Sequence, residues 1–135
     1  MRFALPIACA LTFCIVCFGH SDAIIPFGYL LAGFLTEQTI PPTFRALLVV
    51  PFVVTLFASF VTRAVTRSVL TIVGVFLLTV LWLLGIVVYV VYPMPGNQIP
   101  NAVPTITSIP FLLAVSATTT YSVRTWRTAL RKPAV

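Results

Sequence analysis

The sequence predicts an all-α membrane protein, a single domain over residues 1–135 built as a bundle of four transmembrane helices with both ends in the cytoplasm. Three observations predict it. Hydrophobic residues make up 60% of the chain and charged residues only 7%, against roughly 25% charged in a soluble domain. So few charges cannot cover a water-soluble surface, so the apolar residues must face lipid. No charged residue lies between Ser68 and Val123, a stretch far longer than the roughly 20 residues of one span, so the chain must turn back within it. Finally, the basic residues sit singly or in short groups beside apolar runs, as topology signals do.

Taken in order, the first span covers residues 3–19, preceded by Arg2; it is slightly short for a full crossing. Residues 24–36 follow. They are apolar, but a helix of that length reaches only about 20 Å against a hydrocarbon core of about 30 Å. Glu37, Gln38, Pro41 and Pro42 block its extension. This segment reads as interfacial, re-entrant, or packed over the outer mouth of the bundle. The second span covers residues 44–62, with Thr43 as its expected N-cap. The third covers 69–92 and is long enough to tilt, with Ser68 as its cap. Pro93, Pro95, Gly96, Asn97, Gln98, Pro100, Asn101 and Pro104 then supply the turn, because proline and glycine at this density end helices. The fourth span covers 103–123 and is rich in Thr and Ser. A basic tail, 124–135, follows it. The link at 63–68 has neither Gly nor Pro, yet one helix over 44–92 would be about 73 Å long, too long for a simple span.

Charge orients the bundle. With four spans and the N-terminus inside, Arg2, Arg63, Arg67, Arg124, Arg127, Arg131 and Lys132 are all internal. Only Arg45 and the two acids, Asp22 and Glu37, are external. That agrees with the positive-inside rule, and models in which 24–44 also spans fit it less well. The net charge of +6 is thereby a topology signal, and nucleic acid is excluded as a partner. The simple asymmetry suits a bacterial inner membrane.

The N-terminal run also resembles a cleavable secretory signal, with Ser21-Asp22-Ala23 as the cleavage region. Its apolar core is longer than the usual 7–15 or so residues, which favours retention. Cleavage would remove all three cysteines, Cys9, Cys14 and Cys17.

Chemistry-bearing residues are few. Cys14-x-x-Cys17 has no second pair to complete a four-ligand zinc site, and cysteines in an apolar run serve as small apolar residues. His20, Asp22 and Glu37 read as a solvated loop, where any outer pH sensitivity would have to arise. No span holds a charged group of the kind that marks proton relays. Small four-helix multidrug exporters depend on a glutamate in their first helix, and residues 3–19 contain none. Neither a P-loop nor a G-x-S-x-G is present, and no Ser-His or paired-Asp arrangement falls within the spans. No catalytic, cofactor-binding or metal site is therefore expected.

What remains is packing. Thr55, Ala58, Ser59 and Thr62 share one helical face, as do Ala114, Ala117, Thr118 and Tyr121. Small residues let helices approach closely in lipid, and hydroxyls across such an interface add about 0.6 kcal/mol each. Pro51 and Pro110 fall inside spans and would kink them. In the tail, Arg124, Arg127 and Arg131 share a face if the helix continues, and Trp126 suits the interface. The expected role is non-enzymatic: an accessory component that binds another membrane protein, or alternatively a homo-oligomeric pore.

Overall fold

The computed structural model describes residues 3–20, 23–91 and 102–131. Within them the fold is helical, in the order α1 (Ala4–Ile15), β1 (Cys17–His20), β2 (Ala23–Pro26), α2 (Phe27–Thr36), α3 (Pro42–Ala58), α4 (Ala64–Val91) and α5 (Ala102–Arg131). α4 and α5 are each long and apolar enough to cross a membrane; α1 and α3 are shorter apolar helices.

The main departure from the sequence reading is at the start. Residues 3–19 were expected as one helix, but α1 stops at Ile15. Val16 turns to an extended conformation, φ −55° and ψ 124°, and its carbonyl accepts the Phe27 amide at 2.7 Å. The chain then forms a two-stranded antiparallel ladder, with Cys17 opposite Pro26 and His20 opposite Ala23. The ladder supplies backbone hydrogen bonds that the interrupted helix no longer provides. Two strands are thus added to a fold expected to be wholly helical. The segment 24–36 divides accordingly, its first three residues entering β2 and the other ten forming α2.

Other boundaries shift for local reasons. α3 opens with Pro41 in the N-cap position and Pro42 in the first turn, and no side chain caps it. Proline suits that place because its missing N–H would be unpaired anyway; Thr43 is not the cap. α4 begins at Ala64, so Ser68 is buried inside the helix and caps nothing. The link without Gly or Pro is a turn at Ser59 and Phe60 followed by Val61, Thr62 and Arg63, and Ser59, Phe60 and Val61 keep their amides bonded to carbonyls three residues back. α5 runs through Arg124 and Arg127 to Arg131, so the tail is helical over those residues. Pro104 lies in the first turn of α5, and the rest of the expected turn, from Tyr92 to Asn101, lies outside the described residues, as do Arg2, Ser21, Asp22 and Lys132.

The core follows helical spacing. In α4 the buried positions are Ser68, Thr71, Gly74, Val75 and Leu78; in α5 they are Pro104, Ser108, Phe111, Thr118 and Ser122. Steps of three and four residues keep each stripe on one face, and α4 packs most extensively against α5 and α3. The short α1 touches every other helix. Its Phe13, 2% exposed, is the hub. Its ring meets Phe27, Phe111 and Phe52 edge-on at centroid distances of 4.8, 5.1 and 5.4 Å, a geometry that aligns ring edges with ring faces.

Candidate functional site

The helix contacts carry the most defined geometry. At the crossing of α3 and α4, a Cβ on Gly74 would overlap Thr55 Oγ1 and lie 2.8 Å from the Cα and N of Thr55. Glycine is the residue that fits there. Thr55, Ala58 and Ser59 are buried as the sequence reading expects, whereas Thr62 lies past the end of α3 and is exposed. In α5, Thr118 is buried and Ala114 half-buried, but Ala117 and Tyr121 are exposed. The buried stripe of α5 runs one residue to the side of the expected one, through Ser108, Phe111, Thr118 and Ser122.

Most hydroxyls do not bridge helices. Thr12, Thr55, Thr79, Thr107, Ser116 and Thr118 each donate to the carbonyl four residues back in their own helix. The hydroxyl near Pro51 does the same: Thr55 donates to the Pro51 carbonyl at 2.7 Å, not to the Leu47 carbonyl that proline leaves without its usual amide. Trp82 and Thr118 do reach across between helices. Trp82 Nε1 donates to Ser108 Oγ at 2.7 Å, and Ser108 in turn donates to the Pro104 carbonyl. Thr118 Oγ1 also reaches the Leu5 carbonyl at 3.3 Å.

A polar site lies where the start of α1, the start of α4 and the C-terminal half of α5 meet. A small cavity of about 10 Å³ there is lined by Leu5, Pro6, Arg67, Ser68, Thr71, Thr118, Tyr121, Ser122 and Thr125, the size of one water molecule. Ser68, Thr71 and Ser122 are each at most 4% exposed. A wider groove of about 470 Å³ adjoins, lined by Ala64, Tyr121, Arg124, Thr125, Thr128 and Ala129. Tyr121 and Thr125 border both spaces.

Comparison with protein-family models, curated proteins and solved structures finds no significant match.

The structure therefore brings two of the topology arginines, Arg67 and Arg124, to adjoining cavities at one end of the bundle. Arg63 precedes α4 at that end, and Arg127 and Arg131 continue α5 as exposed residues. Glu37 sits beyond the other end of α3, a helix about 25 Å long. Arg45, half-buried at the start of α3, donates from Nε to the Ile40 carbonyl at 3.0 Å. Cys14 belongs to α1 while Cys17 opens β1, so the C-x-x-C pair is divided between two elements. Cys9 and Cys14 are free.

Three features escaped the sequence reading: the Gly74 crossing, the Trp82–Ser108 link and the Phe13 hub. Of these, Gly74 alone left a signal, a glycine inside a long apolar helix, which commonly marks a close approach, and Gly85 in the same helix carries the same signal.

Proposed function

We propose that the chain is a four-span integral membrane protein with both ends in the cytoplasm, and that it acts without catalysis as a partner-binding component of a membrane complex. One observation carries the membrane reading. In both α4 and α5, only 22% of the most apolar window is buried within the fold. A core helix of a soluble protein hides its apolar residues; these turn outward residues such as Phe76, Leu84, Val88, Ile106 and Leu113. Lipid satisfies such a surface. The gathering of Arg63, Arg67 and Arg124 at one end supports the orientation. α1 rises about 18 Å and β1 about 13 Å, so together they match a core of about 30 Å, with α2 folded back against α1.

Partner binding is supported by the outer face of α5. Ala117, with Ser116 and Thr120 beside it, is exposed. Small residues on a lipid-facing helix let a second helix come close. Purification in mild detergent tests this: the chain should emerge in a complex, and Ala117→Trp should release the partner without lowering thermal stability. A chain that emerges alone and monomeric defeats the reading. A second reading, a homo-oligomeric pore, draws on the same exposed Ser116 and Thr120, together with the exposed Pro110. Conductance of the purified chain in planar bilayers, altered by Pro110→Ala, would favour it, and silence would exclude it. The membrane that best suits the charge asymmetry is the plasma membrane of a bacterium.

A further inference from the structure

We propose that the groove between the start of α4 and the end of α5 binds a phosphate group, carried by the headgroup of an anionic phospholipid or free in solution. Four observations converge on it. Arg67 and Arg124 line adjoining spaces there, and Tyr121 borders both. No carboxylate lines either space, so the guanidinium groups face no competing anion from the lining residues. Ala64, the first residue of α4, borders the groove, and the first-turn amides of a helix have no intrahelical acceptor and favour anions. Lastly, the nine-tenths buried Ser68 and Ser122 line the inner cavity beside Arg67 and Tyr121 and add hydroxyl donors to it.

The groove's volume of about 470 Å³ falls within the roughly 300–1,000 Å³ of small-molecule clefts. Arginine suits the ligand because its planar fork meets two phosphate oxygens at once. In the proposed orientation this end of the bundle lies at the cytoplasmic leaflet, where anionic lipids concentrate. The headgroup source rests on that orientation; the phosphate chemistry does not.

The full chain in neutral detergent micelles is titrated calorimetrically with short-chain phosphatidic acid, with inorganic phosphate and with short-chain phosphatidylcholine. Saturable binding of phosphatidic acid, weakened about tenfold or more by Arg67→Gln with Arg124→Gln and only about twofold by Arg127→Gln with Arg131→Gln, supports a headgroup site. Saturable binding of inorganic phosphate with the same pattern supports the free anion as ligand. Equal losses in the two double variants, equal affinity for phosphatidylcholine, or no saturable binding overturns the proposal. If the Arg67/Arg124 variant does not fold, Tyr121→Phe decides: weaker binding at unchanged melting temperature supports it, and unchanged binding overturns it. A chain that proves monomeric, which would defeat the partner reading, leaves this result readable.

Discussion

Gly74→Ala should loosen the bundle more than the same change at Gly28 or Gly33. The new Cβ would overlap Thr55 Oγ1, a side-chain atom, but would also stand 2.8 Å from the Cα and N of Thr55, whereas ordinary contact begins at 3.4 Å. The helices must therefore part by about 0.6 Å, the difference between those two distances. A gap of about 0.5–1 Å forfeits a quarter to a half of the dispersion energy of every atom pair across it. Overpacking of this kind costs about 1–3 kcal/mol. Thr55→Ala removes only the Oγ1 overlap and leaves the backbone conflict, so the double variant should recover less than half of the loss. Gly33→Ala is the control, because a Cβ there meets nothing within 4 Å. It should stabilise by about 0.5–1 kcal/mol through helix propensity alone. Both are measured by thermal or SDS-induced unfolding in micelles, followed by circular dichroism. Gly74→Ala as stable as the parent, or as stabilising as Gly33→Ala, would refute the packing argument.

The same unfolding assay checks three further expectations. Phe13→Ala removes the ring shared by Phe27, Phe52 and Phe111 and should cost about 3–5 kcal/mol; a cost below 1 kcal/mol would mean the hub carries little of the fold. Ser108→Ala strips the acceptor from Trp82 Nε1 and should cost about 1–3 kcal/mol, with a blue shift of tryptophan fluorescence, while Ser116→Ala, whose hydroxyl is exposed and bonded within its own helix, should change little. Ser59 Oγ is buried without a partner, so Ser59→Ala should be neutral or stabilising; clear destabilisation would show that the hydroxyl has a partner in the folded state.

Composition and charge order alone determined that the chain is helical and that its apolar surface exceeds what a soluble fold could hide. They also placed α3, α4 and α5 to within a few residues of their observed starts, because long uncharged runs and proline breaks act locally. Thr55, Ala58, Ser59 and Thr118 were legible as packing residues because small side chains at helical spacing are a local pattern too. The tertiary structure decided the rest. Val16 carries no breaker signature, and α1 ends there because its carbonyl pairs with Phe27, a residue eleven positions on. The buried stripe of α5 falls beside Ala117 rather than through it, since its rotation is set by Trp82 and Phe111 meeting across helices. Ser68 and Thr71 lie beside Arg67 on α4, but Tyr121 and Ser122 on α5 lie far along the chain, and only the meeting of the two helices brings them together. Periodicity states which residues can share a face; which neighbour that face meets depends on contacts that no local run of residues encodes.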